Sequence, residues 1–268
     1  MAGIVFGCIV PHPPLLVPDI GKGHEVAVSA TVEAMKKLTT LLSQQHPQTI
    51  LAISPHGEYY ADAMGVLTAA GSTGDLSTWG SNEPQRHFDN DLKIVELIQK
   101  EAESAKIPTR SLSKNSYKLD HGVMVPLHFL YQAIKEVPLV PLTFSLLPLQ
   151  THFAFGQAIR RAAEQSQKRV ALISSGDLSH RLIPEAPAGY DPMGKIFDEK
   201  LVKALSCSDT EGILNLDREL IERAGECGLR SFVILLGALD GLQVKPKMLS
   251  YEGPFGVGYL VASFEITS

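Results

Sequence analysis

Four of the nine histidines stand on turns rich in Pro, Gly or Asp, where a side chain can be held for chemistry rather than for packing. They are His12 in VPHPPLL, His56 in PHGEYY, His121 in KLDHG and His180 in SGDLSHRL. Neutral imidazole is a common protein ligand for transition metals, and it also transfers protons near neutral pH. The four motifs therefore predict a site that combines metal binding with acid–base chemistry.

The neighbours of these histidines divide them into two pairs. His12 lies between two prolines and His56 follows a proline, so their backbones are constrained, as suits ligands with a fixed ring orientation. The other two histidines each have an aspartate nearby, Asp120 before His121 and Asp177 before His180. A carboxylate beside an imidazole can orient the ring or raise its pKa, which suits proton transfer. The alternative for Asp120 is a helix N-cap.

A third ligand is offered by the segment RAGECGLRSFVILLGAL, in which Glu226 and Cys227 stand between glycines before an apolar helix. Two histidines and a carboxylate with open positions are typical of non-haem Fe(II) oxygenases, whereas a thiolate makes zinc the more plausible metal. The alternative for Glu226 is a favourable charge at the N-terminus of the helix. The residues by themselves leave the third ligand open.

The remaining five histidines are expected to lie outside this site. The polar or helix-surface contexts of four of them predict solvated side chains; these are His24, His46, His87 and His152. His128 lies inside an apolar helical segment and is expected to be a core histidine rather than a ligand.

Short apolar runs alternate with amphipathic segments along the chain, and this alternation predicts the fold. The predicted strands span residues 3–9, 49–54, 64–69, 137–143, 169–174, 247–252 and 258–266. The predicted helices span residues 25–42, 90–105, 122–134, 151–165, 195–205 and 230–239. The pattern predicts one α/β domain over residues 1–268, a sandwich with a mostly parallel central sheet, antiparallel edges and helices on both faces. Ligands of such folds collect at the carboxyl ends of the strands.

Composition argues against several classes of function. The 24 Lys and Arg residues are scattered and the net charge is −5, so a nucleic-acid partner is not expected. No apolar stretch has the length of a membrane span, and the first one lacks the preceding positive charge of a secretory signal. Three cysteines without CxxC spacing do not form a disulfide framework. We therefore expect a cytoplasmic protein without a membrane partner.

The ordered motifs PHPP, PHG, DHG and GDLSH, with a late Glu or Cys before a helix ending in LLGAL, resemble the LigB-type class III extradiol dioxygenases. The relatives of these enzymes include the Memo proteins. The resemblance runs from residue 4 to about residue 240. It implies Fe(II), with Zn(II) as the alternative, bound by His12, His56 and Glu226. It further implies that His180 and His121 act in acid–base steps.

The resemblance also implies a reaction and its partners. A catechol-type substrate would bind the metal through two oxygens, and O2 would open the ring beside the diol; His180 would accept a hydroxyl proton and His121 would assist as an acid. In the Memo branch a cysteine stands at the position of Cys227, which gives the alternative of a metal-binding accessory or signalling protein without turnover. A zinc hydrolase on an unrelated α/β fold is a further alternative. Because the superfamily often forms dimers, the resemblance suggests a homodimer.

Overall fold

The computed structural model describes residues 2–112 and 117–267, which form ten strands and nine α-helices. The strands are β1 (Gly3–Val10), β2 (Thr49–Ser54), β3 (Met64–Val66), β4 (Gly71–Gly74), β5 (Arg86–Asp89), β6 (Thr109–Ser111), β7 (Leu139–Thr143), β8 (Arg169–Ser175), β9 (Val244–Glu252) and β10 (Tyr259–Ile266). The helices are α1 (Pro18–Gly21), α2 (Ser29–Gln44), α3 (Leu92–Ser104), α4 (His121–Ile134), α5 (Leu149–Ser166), α6 (Pro192–Ser206), α7 (Thr210–Leu214), α8 (Arg218–Ala224) and α9 (Leu229–Leu239). Within these ranges no helix has both the length and the apolarity to cross a membrane.

Eight of the described strands form one sheet in the order β6-β3-β7-β2-β8-β1-β10-β9. The neighbours β7, β2, β8 and β1 are parallel, whereas β10 and β9 run antiparallel at one edge and β3 runs antiparallel to β7 near the other. Every residue of β1 and β2 is buried, as expected for strands covered by helices on both faces. The predicted fold class, a mostly parallel sheet with antiparallel edges, is confirmed.

Side chains that alternate along the strands divide the core into two apolar layers. On one face of the sheet, Phe6 belongs to the same buried cluster as Met35 of α2 and Leu127 of α4. On the other face, Ile9 belongs to the cluster that contains Phe155 of α5. Full burial of one such side chain contributes about 1.5–3 kcal/mol relative to exposure. The two layers therefore hold the sheet rigidly between helices.

The long elements agree with the sequence-based prediction, whereas the short ones differ. The helix predicted at residues 25–42 begins as a 3-10 turn, His24–Val28, and continues as α2. The strand predicted at residues 64–69 ends at Val66. The sequence does not predict β4, β5, β6, α1, α7 or α8, which have seven residues at most. Segments of this length are too short to display a convincing hydrophobic period.

The parallel order brings several loops to one edge of the sheet. The register pairs Val10 of β1 with Ser175 of β8, and Ile53 of β2 with Ser174 of β8. The three strands therefore end side by side, and the loops that follow them begin at the same level. Ligand sites in open α/β sheets lie at this edge, and the loops of the histidine motifs meet there.

Candidate metal centre

His12 follows β1 by two residues and is buried, with 2% of its surface exposed. Its Nδ1 lies 2.9 Å from the hydroxyl of Ser175, and its backbone N–H donates to the carboxylate of Asp177 at 3.1 Å. These contacts orient the ring so that Nε2 lies 2.9 Å from Nε2 of His56. A partner on the second ring nitrogen is a typical feature of metal-binding histidines.

His56 lies on the loop after β2, and its ring is close to two other imidazoles. The ring centroids of His56 and His12 are 4.6 Å apart, which is within the distance that a shared metal ion requires. On its other side, the His56 ring stacks on that of His121 at 4.3 Å with an interplanar angle of 24°. Three of the four predicted histidines are therefore brought into direct ring contact.

Asp120 joins the start of α4 to the loop of His56. Its Oδ1 accepts hydrogen bonds from the amide of Gly122 at 2.7 Å and from the hydroxyl of Ser54 at 2.6 Å. The interpretation of Asp120 as a helix N-cap is confirmed. Burial lowers the pKa of His121, and the nearby Asp120 carboxylate opposes that effect. Asp120 thus fixes both the position and the electrostatic surroundings of this ring.

The turn before α9 brings Cys227 to the same point. Its Sγ lies 3.7 Å from Nε2 of His12. The backbone N–H groups of Cys227 and Gly228 donate to the carbonyl of Asp177 at 3.3 and 3.0 Å. A Cβ on Gly176 would lie 2.2 Å from Cα of Gly228, so this close approach requires glycine at position 176. The loop after β8 and the turn before α9 are therefore tied together, with the thiol beside His12.

Glu226 faces α9 instead. Its Oε2 accepts a hydrogen bond from the amide of Leu229 at 2.6 Å, and its Oε1 lies 4.0 Å from the guanidinium of Arg230. Burial raises the pKa of Glu226, while the Leu229 amide and Arg230 oppose the rise. These contacts match the alternative role of a charge at a helix N-terminus. Glu226 as the third ligand stays a prediction, and its contacts favour Cys227 over it.

His180 lies on the same loop as Asp177, and its backbone N–H donates to the carbonyl of Ala224 at 3.2 Å. Its ligand nitrogen, a carboxylate oxygen of Asp177 and the thiol of Cys227 all lie within 4.8 Å of one another. The Asp177 carboxylate also contacts His12, with Oδ2 at 3.6 Å from Nε2. Asp177 therefore holds His12, whereas the sequence suggests it as a partner of His180.

Burial favours the neutral form of each titratable group in the centre. It lowers the pKa of His12 well below the usual value, and the rings of the other three histidines lower it further. Burial likewise raises the pKa of Asp177 to about 7 and, with help from the Asp177 charge, raises that of Cys227. Neutral imidazole is the form that binds metals, and a thiol binds as the thiolate. A cation would therefore bind here with release of the thiol proton.

The separations between ligand atoms fit one divalent metal ion. Ligand atoms of His12, His56 and Cys227 all lie within 4.8 Å of one another, and two of the three separations are 2.9 and 3.7 Å. Bonds of about 2.0–2.3 Å that meet at about 90–110° place neighbouring ligand atoms about 2.8–3.8 Å apart. A second group, Asp177 with His180 and Cys227, overlaps the first through the thiol. The carboxylate of Asp177 and the imidazoles of these histidines therefore all lie near the Cys227 sulfur.

Three of the other five histidines agree with the prediction, and two differ from it. His24, His46 and His87 are exposed, as predicted. His152 is completely buried, so its prediction as a solvated residue is wrong. Its Nδ1 donates to the carbonyl of Pro148 at 2.9 Å, its Nε2 accepts from the amide of Ser145 at 3.3 Å, and burial lowers its pKa to about 4. His128 is only partly buried, and its Nδ1 lies 2.6 Å from the carboxylate of Glu83.

Two serines support the centre without having been predicted to do so. The hydroxyl of Ser54 accepts from the amide of His56 at 3.2 Å and donates to the carboxylate of Asp120. The hydroxyl of Ser175 is hydrogen-bonded to the His12 ring. Each is the last residue of its strand, β2 or β8. A hydroxyl at the carboxyl end of a buried parallel strand is therefore the sequence feature that indicates these residues.

Comparison with known proteins identifies the family of this chain. Residues 7–262 match the family described as the catalytic LigB subunit of aromatic ring-opening dioxygenase. A Clostridium acetobutylicum protein is 33% identical over 97% of this chain, which spans only 57% of that protein's length. The 2-aminophenol 1,6-dioxygenase beta subunit of a Pseudomonas species is 22% identical, over 98% of this chain and 94% of that one. A MEMO1 family protein of Methanosarcina barkeri is 24% identical, over 60% and 58%.

The fold is similar to that of a solved structure as well. The crystal structure of an uncharacterized Escherichia coli K12 protein superimposes with a TM-score of 0.67 at 19% identity, covering 97% of this chain and 99% of that one. The family match extends from within β1 into β10 and includes all four histidine motifs. This chain belongs to the LigB family.

Proposed function

We propose that this chain binds one divalent metal ion, Fe(II), and uses it to open the ring of a catechol-type substrate with O2. The observation that carries the proposal is the convergence of His12, His56 and Cys227 beside two further histidines that lie outside this group. A group of ligands next to free proton carriers is the combination that a metal-dependent oxygenase needs. The distant dioxygenase relatives support the same reaction class.

Some residues of the site would bind the metal ion, and others would transfer protons. His12, His56 and Cys227 would hold the metal ion, and the Asp177 carboxylate lies within 4.8 Å of the Cys227 thiol. Fe(II), when bound, supplies open coordination positions for the diol and O2. The Ser175 hydroxyl keeps the Nε2 atom of His12 pointed at the metal position. Because these contacts exist before any ligand binds, little reorganisation is required at the moment of reaction.

His180 and His121 are the proposed proton carriers. Burial lowers the pKa of each ring, so both are neutral near pH 7 and each has one nitrogen that can accept a proton. His180, beside the thiol of Cys227, would take a hydroxyl proton from the diol as it binds. His121, stacked on His56, would take the second hydroxyl proton of the diol and return it as an acid during ring opening.

A second candidate function is a metal-binding accessory or signalling protein without turnover. The observation that favours it is the thiol of Cys227, which lies where the dioxygenase resemblance asks for a carboxylate. A thiolate next to O2 chemistry is prone to oxidation. The MEMO1 family relative agrees with this candidate.

Anaerobic loading with Fe(II), followed by oxygen-uptake and absorbance assays with a panel of catechols and 2-aminophenol, separates the candidates. We expect turnover by the unmodified chain. His180→Ala should lower turnover by about 10²–10⁴-fold while the metal content stays the same, whereas His12→Ala should lose metal and activity together. His87→Ala, which removes an exposed histidine, is the matched control. Bound Fe(II) without turnover of any substrate would favour the second candidate.

A further inference from the structure

Trp79, the single tryptophan of the chain, lies beside the candidate metal centre. Its ring centroid is 5.1 Å from that of His121, which in turn stacks on His56 at 4.3 Å. The indole is tilted by 55° against the His121 ring and 47% of the residue is exposed. The indole therefore presents a large aromatic face to solvent, and only the His121 ring separates it from the proposed metal ligand His56.

The segment that carries Trp79 is fixed by its own hydrogen bonds. Trp79 is the last residue of a short 3-10 helix, Ser77–Trp79, and its backbone N–H donates to the carbonyl of Leu76 at 3.0 Å. Leu76 is buried, with 2% of its surface exposed, and anchors the turn in the core. The Ser77 amide donates to the carboxylate of Asp75 at 3.0 Å. The position of the indole is thus held from within the loop.

The same framework holds Trp79 and His121 relative to each other. Thr73 of β4, a few residues before the turn, donates its N–H to the carbonyl of Tyr117 at 2.9 Å. The N–H of Leu119 donates back to the carbonyl of Thr73 at 2.7 Å. The chain that leads into α4 therefore pairs with β4, and the indole keeps its place beside the metal centre.

We propose that Trp79 binds the flat ring of an aromatic substrate through its exposed indole face, and so selects planar rings over other metal-chelating ligands. This inference rests on the proposed function, since it assumes that the ligand reaches the metal of His12 and His56. The exposed indole lies one imidazole away from His56, and aromatic rings attract one another at centroid distances of about 4.5–7 Å. Trp79 is then a specificity-determining residue, and removing it weakens ring binding without changing the metal ligands.

The test measures equilibrium binding to the metal-loaded chain under anaerobic conditions by isothermal titration calorimetry. The two probes are 4-nitrocatechol and oxalate, which both chelate metal ions through two oxygens but differ in having a ring. Trp79→Ala should raise the Kd of 4-nitrocatechol about tenfold, and Trp79→Phe about two- to threefold, because the benzyl ring keeps part of the aromatic contact. The Kd of oxalate should change by less than about twofold in both variants, since oxalate presents no ring face to the indole.

Leu92→Ala is the matched control for loss of an exposed apolar side chain. Leu92 is 48% exposed and follows Asp91, whose carboxylate accepts from Thr49 at the opposite end of β2. Equal weakening of both probes by Trp79→Ala, or unchanged binding of 4-nitrocatechol, would overturn the inference. Ring-dependent binding through Trp79 without turnover of any catechol would contradict only the proposed reaction. If the unmodified chain bound oxalate but no 4-nitrocatechol, both would be contradicted.

Discussion

Replacing Cys227 by Ser and Glu226 by Gln, each alone, separates the two candidates for the third metal ligand. In the Cys227→Ser variant the hydroxyl can still accept the hydrogen bond that the sulfur takes from the Asp177 amide at 3.3 Å. In the Glu226→Gln variant the amide oxygen can still accept from Leu229. Both metal-free variants should therefore fold, so a difference in metal binding reports on the ligand and not on the scaffold.

The expected magnitudes follow from the contacts. Glu226→Gln removes a charge near the N-terminus of α9, an interaction of about 0.3–1 kcal/mol, and the relief of burying that charge offsets part of the loss. Metal affinity should remain unchanged if Cys227 is the ligand. Cys227→Ser should weaken affinity by at least about 100-fold, because loss even of a residue that supports a ligand costs about 10–100-fold.

Differential scanning calorimetry with and without metal converts these affinities into melting temperatures. A metal present at about 100 times its Kd stabilises the folded chain by about 2.7 kcal/mol. At about 2–4 °C per kcal/mol for a chain of this size, the unmodified protein and Glu226→Gln should gain roughly 5–10 °C. Cys227→Ser should gain about 1 °C at the same metal concentration. The opposite pattern, with the gain lost only in Glu226→Gln, would refute our assignment and restore the carboxylate as ligand.

Two further predictions concern the scaffold. Gly156→Ala should lower the free energy of unfolding in urea by about 3 kcal/mol or more. The reason is that the new Cβ would lie 2.1 Å from the backbone oxygen of Ile234 in α9. A loss below about 1 kcal/mol would contradict this close packing. Burial raises the pKa of Asp198 from 3.8 to about 6, with opposition from the Tyr251 hydrogen bond, so the folded state loses stability as pH rises between these values. In the Asp198→Asn variant, the fall in unfolding free energy between pH 3.5 and pH 7.5 should be smaller than in the unmodified chain by about 3 kcal/mol. An equal fall in both proteins would contradict this prediction.

The regular part of the fold could be predicted because burial on both faces leaves a clear sequence signal. The strand predicted at residues 49–54 coincides with β2, and all its residues are buried. The helix predicted at residues 122–134 is α4 without its first residue, His121. By contrast, β4 and β5 form a separate two-stranded sheet in which buried and partly exposed residues mix, so no apolar run marks them. That small sheet carries the turn with Trp79, and the ring beside His121 was therefore not predicted.

His152 shows how a polar residue can mislead when its neighbours are read without tertiary structure. It lies near the start of α5, where helical spacing suggests a solvent-facing side chain. The loop after β7 folds back over it, however, so that Nδ1 donates to the carbonyl of Pro148 and Nε2 accepts from the amide of Ser145. A buried imidazole with two backbone partners costs little. Its burial is set by the path of a loop, which the local sequence does not specify.

The third ligand could not be assigned from the sequence for a related reason. Glu226 and Cys227 are adjacent, so a small change in the course of the turn decides which side chain faces His12. The course is set by the Asp177 carbonyl, which accepts from the amides of Cys227 and Gly228 and belongs to a loop about fifty residues away. With the turn held in this way, the thiol faces the histidines and the carboxylate reaches the amide of Leu229. Contact between two loops therefore decides which of the two side chains faces the histidines.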